Sequence, residues 1–166
     1  MEIYHITWAT HNSRVSERMI KYGVCRGEPL LLDSESELYI TMTIARIVNH
    51  KGYRMHAYNI CRDHVHLIIE CLESELPGII RLLKGKSAQR YKEYCGLASG
   101  GNPFHLWTQK YGKEYITSDE HYYNAVQYVV NNREKHGLPD NEGLRVVIQQ
   151  SVAGHGSKGL QPLAAV

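Results

Sequence analysis

Apolar and polar positions set out most of the elements before any composition is counted. Ile3, Tyr4, Ile6, Thr7 and Trp8 crowd β-branched and aromatic residues together, which predicts a strand over 3–9. Residues 10–33 form a long mixed connection containing Gly23, Gly27 and Pro29. The period then changes. Leu38, Ile44, Ala45, Ile47 and Val48 recur at roughly helical spacing behind a capping-box pair, Ser34 and Glu37, with Gly52 as the stop. A helix over 35–50 follows from that pattern. Strands are expected at 53–60 and 64–71, turned at Arg62 and Asp63. Pro77 suits the first turn of a second helix, which Ile79, Ile80, Leu82, Leu83 and Tyr91 carry to residue 94.

A Gly-rich loop spans 96–103, and a further strand or hairpin lies within 104–116, turned near Gly112. Ser118 caps a third helix over 119–136. Asp119 and Glu120 sit in its first turn, where the helix dipole favours acids, and Lys135, His136, Gly137 and Pro139 end it. Beyond it, 145–150 can make one short strand, and a loose tail is expected from Ser151.

The order β-α-β-β-α-β-α defines an α+β fold. Its first six elements match the ferredoxin-like, split βαβ arrangement: an antiparallel sheet with two helices on one face, here with an extra C-terminal helix. One domain over 1–138 and a partly disordered extension over 139–166 are expected from the 166 residues.

Composition adds two biases to an ordinary globular profile of 43% hydrophobic and 22% charged residues. There are 12 Tyr against one Phe, and 10 His. A net charge of +2 neither demands nor excludes nucleic acid, so any such case rests on local patches. Cys25, Cys61, Cys71 and Cys95 contain no C-x-x-C pair and read as reduced thiols. With no secretory pattern and no apolar run of membrane length, a cytoplasmic protein without a membrane partner is expected.

The chemistry starts at Asp63, His64, Val65 and His66. Side chains alternate across a strand, so His64 and His66 share one face and can meet one metal ion, whereas Ile68 interrupts that face further on. Two strand histidines that bind nothing are the alternative. The third helix can supply another ligand. Asn124, Tyr128 and Asn132 form one stripe at four-residue spacing, flanked by apolar Ala125, Val126, Val129 and Val130. An amide oxygen at Asn132 can complete a His-His-Asn site, with Tyr128 one turn away. Half-buried packing of Tyr128 and a solvent-facing Asn132 are the plain alternative. Asp63 can orient the His64 imidazole or simply make the turn.

These segments, in this order, resemble the single-tyrosine HUH transposases of bacterial and archaeal insertion sequences. HUH denotes His64, Val65 and His66 here. The closer likeness is to REP-associated tyrosine transposases, whose Tyr-Ile-x-x-Asn-Pro-x-x-His-Gly-Leu pattern is met by Tyr128, Val129, Asn132, His136, Gly137 and Leu138. Arg133 departs from it, standing where the pattern has Pro, and insertion-sequence members usually have Gln at the position of Asn132. The opening Tyr4, His5, Ile6, Thr7 and Trp8, the stretch 83–91 and the pair Leu106 and Trp107 also match, so the resemblance covers 3–138 in segments.

The resemblance implies metal-dependent cleavage and rejoining of single-stranded, hairpin-containing DNA. Tyr128 would be the nucleophile of a 5′-phosphotyrosine intermediate, with Mg²⁺ or Mn²⁺ on His64, His66 and Asn132. It favours phosphate contacts from Lys84, Lys86 and Arg90, which otherwise read equally well as a solvated basic face. It allows a homodimer. Tyr4, Trp8 and Trp107 are candidates for base stacking or for the core. A non-catalytic nucleic-acid-binding module and a metal-dependent hydrolase are the competing functions. Histidine ligands must be neutral, so activity is expected to fall below pH ~6.5.

Overall fold

The computed structural model describes residues 1–15, 17–25, 27–97 and 104–153. Four strands alternate with helices: β1 (Glu2–Ala9), α1 (Glu17–Lys21), α2 (Ser34–Lys51), β2 (Arg54–Cys61), β3 (His64–Cys71), α3 (Leu76–Tyr94), β4 (Gly112–Tyr115), α4 (Asp119–Val130), α5 (Asn132–Lys135) and α6 (Glu142–Ala153). The sheet order is β2-β3-β1-β4 and every pairing is antiparallel. This is the split βαβ topology that the element order implies.

Period-two alternation divides the sheet into two faces. Tyr4, Ile6 and Trp8 of β1, Met55, Tyr58 and Ile60 of β2, and Val65, Leu67 and Ile69 of β3 enter one core. There they meet Ile40, Ile44 and Val48 of α2 and Leu76, Ile79, Ile80 and Leu83 of α3. Tyr4, Trp8 and Trp107 are among these buried residues, which removes them as stacking platforms for bases. Trp107 instead donates its indole N–H to Ser87 at 2.9 Å. On the other face Ala57 and Ile68 pack with Ile116, Ala125 and Val129, a smaller core that seats α4. Ile68, which interrupts the polar stripe of β3, is therefore the anchor for that helix.

Several sequence expectations shift. The cap of α2 is Asp33, whose carboxylate accepts from Ser36 N at 2.8 Å, in place of the Ser34–Glu37 box. Glu37 is buried and paired elsewhere. The strand within 104–116 narrows to four residues plus a single bridge from Thr10 to Trp107. The expected strand at 145–150 is instead the middle of α6, and helix continues through 153. Leu144 enters the main core while Ile148 and Val152 pack at its margin, a one-sided spacing that suits a helix better than a strand. The loose tail expected from Ser151 instead begins as the end of α6, with Ser151 buried; residues 154–166 and the loop residues 98–103 lie outside the described residues. The third helix breaks at Asn131, where Asn59 Nδ2 donates to the carbonyls of Val129 and Val130 at 2.8 and 3.1 Å.

Lys84 has a structural task. Its ammonium donates to the carbonyls of Thr108, Gln109 and Lys110 at 2.7, 3.0 and 3.3 Å, and burial lowers its pKa. Replacing Lys84 with Met is expected to cost about 1–3 kcal/mol, because three carbonyls lose a charged donor. Chemical denaturation measures the loss, and a change within about 0.5 kcal/mol would rule out this role.

Candidate active site

The start of β3 and α4–α5 bring His64, His66, Tyr128 and Asn132 together. All but Tyr128 are buried: His64 is 5% exposed, His66 7% and Asn132 0%, against 39% for Tyr128. Asn132 Oδ1 lies 3.1 Å from His64 Nε2, and the Tyr128 ring centre lies 5.3 Å from that of His66. The seat of α4 on Ile68 makes this convergence possible, since Val129 and Ala125 face the sheet and leave Tyr128 half open.

Tautomers follow from the partners. Asp63 Oδ1 lies 2.5 Å from His64 Nδ1, so Nδ1–H donates to the carboxylate and the lone pair remains on Nε2. That lone pair faces Asn132 Oδ1, an acceptor opposite an acceptor. Either a positive charge lies between them or the amide is reversed. Asn132 Nδ2 is buried with no partner, and the thiol of Cys61, which donates to Oδ1, is what favours this orientation of the amide. Two neighbouring ligands of an octahedral Mg²⁺, each ~2.1 Å from it, sit ~3.0 Å apart. The spacing and donor chemistry therefore fit a divalent ion. Among the described residues no three His, Cys, Asp or Glu side chains gather as a metal site, so the third protein donor here would be the Asn132 amide.

Four more neighbours border the site: His5 and His136 stand in the segments that resemble the family, whereas Cys61 and Lys135 match no motif. Cys61 donates its thiol proton to Asn132 Oδ1 at 2.9 Å, and burial pushes its pKa up to about 12, so it stays a thiol. His136 stands 5.0 Å from His64 between ring centres, and the Lys135 ammonium lies 4.6 Å from the centre of the Tyr128 ring. His5 touches His66 directly: Nε2 to Nδ1 is 3.0 Å. In the sequence His5 is a polar residue inside an apolar strand, within the opening 4–8 segment that resembles the family. By contrast, α3 packs on the opposite face of the sheet, so Lys84, Lys86 and Arg90 do not border the histidine pair. Lys86 and Arg90 are exposed and contact Gln89 and Glu93 of their own helix.

Burial, with a smaller electrostatic contribution from His64, His5, His136 and Arg14 nearby, lowers the pKa of His66 to about 3. His66 is thus already neutral at pH 5, and the expected acid limit near 6.5 does not arise from it. The sign for stability follows from proton uptake. Below pH ~6.5 the unfolded chain protonates this imidazole and the folded chain does not, so stability falls as pH drops toward 3. In EDTA the slope from this group approaches about 1.4 kcal/mol per pH unit at most. His66→Gln should flatten the urea-midpoint profile between pH 6 and 4. An unchanged slope would show that His66 is protonated in the fold.

Fold and site together define a ferredoxin-like domain whose α4–α5 segment lays a tyrosine and an amide over two strand histidines. The family model for IS200-like transposases matches residues 24–132, well over half of the chain, and the chain belongs to that family. It is a DNA transposase by that membership. Among solved structures, a REP-associated tyrosine transposase bound to a REP hairpin shares the fold with a TM-score of 0.53 at 16% identity, over 83% of this chain and 70% of that one. A protein of Deinococcus radiodurans R1, proposed to be a transposase, aligns at 24% identity with a TM-score of 0.45, over 79% of this chain and 89% of that one. No protein of curated function matches the chain. Among the described residues, no helix is long and apolar enough to cross a membrane.

Proposed function

We propose that this transposase cuts and rejoins single-stranded DNA through a 5′-phosphotyrosine on Tyr128, with Mg²⁺ or Mn²⁺ held by His64, His66 and Asn132. The observation that carries the reading is the convergence of a half-exposed phenol with two imidazoles and a buried amide contributed by separate elements. Tyr128 Oη attacks the phosphorus; its bond to phosphorus forms as the bond to the 3′-oxygen breaks. The phenol loses its proton and the departing 3′-oxygen gains one. Reversal by a 3′-hydroxyl restores the DNA, and because one phosphoester replaces another, no ATP is needed. A bound divalent ion would supply positive charge at a non-bridging phosphate oxygen. Asp63 holds His64 in the tautomer that leaves Nε2 free, and Cys61, donating to Oδ1, orients the Asn132 side chain.

The hairpin in the REP-associated relative supports a hairpin-containing strand as substrate. Lys86 and Arg90, exposed on the far side of the sheet, are proposed contacts to phosphates of a stem that reaches past the active site. Lys84 is spent on carbonyls and is left out. The test is incubation with hairpin-containing single-stranded DNA and Mn²⁺, followed by a denaturing gel. A protein-linked DNA band is expected. Cleavage without the band points to a hydrolase, and binding without cleavage to a recognition module.

A further inference from the structure

From the side chains around His66 we infer that His5, aligned by Glu114, is the positioning residue that fixes the tautomer of His66 and so sets metal affinity. The inference deepens the proposed function and rests on it for the ion. His5 lies outside the matched stretch of 24–132, on β1, directly across the β1–β4 pair from Glu114. His5 Nδ1 lies 3.5 Å from Glu114 Oε2 and His5 Nε2 lies 3.0 Å from His66 Nδ1. The two rings are tilted by only 28° with centres 5.2 Å apart, so they meet edge to edge, nearly in one plane, with the hydrogen bond between them.

The carboxylate decides the direction of the chain. At 3.5 Å the Glu114 carboxylate favours the proton on His5 Nδ1 by its charge, which leaves a lone pair at Nε2. That lone pair accepts from His66 Nδ1–H, which leaves His66 Nε2 bare for a metal. Asp63 does the same for His64 in one step; His66 reaches its carboxylate in two. The other oxygen of Glu114 lies 3.3 Å from His121 Nε2 on the first turn of α4, so the chain also ties the strand pair to the tyrosine helix.

The experiment reads nitrogen protonation and metal affinity, with activity left aside. Two-bond ¹⁵N–¹H spectra of the metal-free protein should show His66 protonated at Nδ1 and bare at Nε2. In His5→Phe, which keeps a flat ring and loses the acceptor, His66 should shift toward Nε2–H, and calorimetric Mn²⁺ affinity should fall by about 10–100-fold. His5→Gln, whose amide oxygen can accept the same proton, should restore affinity to within about threefold. Far-ultraviolet dichroism verifies that each variant is folded; if His5→Phe is not, the His5→Gln variant and the unsubstituted spectrum carry the test. Nε2–H on His66 in the unsubstituted protein overturns the inference, as does unchanged Mn²⁺ affinity in folded His5→Phe. An unsubstituted protein that shows Nδ1–H but binds no Mn²⁺ fails the proposed metal site instead, while the tautomer half of the inference stands.

Discussion

Tyr128→Phe is expected to erase the protein-linked DNA band, a loss of about 10⁴-fold or more, while fold and Mn²⁺ binding persist. The substitution removes one oxygen and nothing that holds the helix. Among the described residues no hydrogen bond engages the Tyr128 hydroxyl, and α4 is seated by Ala125 and Val129. The ring faces that approach His5 and His66, at 6.0 and 5.3 Å between centres, remain in the variant, as does the face beneath the Lys135 ammonium. Loss of the band thus isolates nucleophilic chemistry from packing. Tyr123, 50% exposed on the same helix, provides the control. It is five residues from Tyr128 and so turned to another face, and Tyr123→Phe should leave the band intact. A band that survives in Tyr128→Phe would move the covalent role elsewhere and end the reading.

How far the sequence led depended on which elements carried local signals. β3 was legible to the residue because alternation, a turn at Arg62 and Asp63, and an apolar stripe all agree there. Ser118, Gly137 and the acids of the first turn likewise marked the tyrosine helix, yet nothing local announced its break at Asn131. That break depends on an amide from β2, a contact made only after folding. α6 differs from the expected strand because Arg145 to Gln150 is too short a window to separate a strand from the buried stripe of a helix. The site divides in the same way. His64, His66, Tyr128 and Asn132 sit in motifs with regular spacing, whereas Cys61 joins through burial, and His5, though in a matched segment, meets His66 only through sheet register, which no spacing encodes. Lys84 shows the converse: a plausible phosphate ligand by charge and helix position was already taken by three backbone carbonyls.

Arg133→Ala is expected to be the most destabilising single change in the tyrosine segment, at about 3–5 kcal/mol. Arg133 stands where the related pattern has proline, and here it clamps three elements. One guanidinium nitrogen donates to Glu37 Oε2 at 2.7 Å and to the Ile60 carbonyl at 2.9 Å, and the other to Pro139 O at 3.0 Å. Glu37 is 1% exposed and its second oxygen, Oε1, lacks a partner, so removing the guanidinium strands a buried carboxylate. Burial already holds the Glu37 pKa above its ordinary value, and Arg133 pulls it back down. Without that counter-pull the folded-state pKa rises further. The folded variant then takes up a proton more readily than the unfolded chain, so its stability declines as pH climbs above the usual carboxylate range. The deficit against the unsubstituted protein should therefore be larger at pH 8 than at pH 5 in urea titrations. Glu37→Leu combined with Arg133→Met, which withdraws both charges and keeps the volume, should recover most of the loss at pH 8. Additive losses in the double variant would mean that the pair does not act as a unit. Because Asn132 is the preceding residue, the same clamp holds the amide over His64, and Arg133→Ala should weaken Mn²⁺ binding even where the variant remains folded.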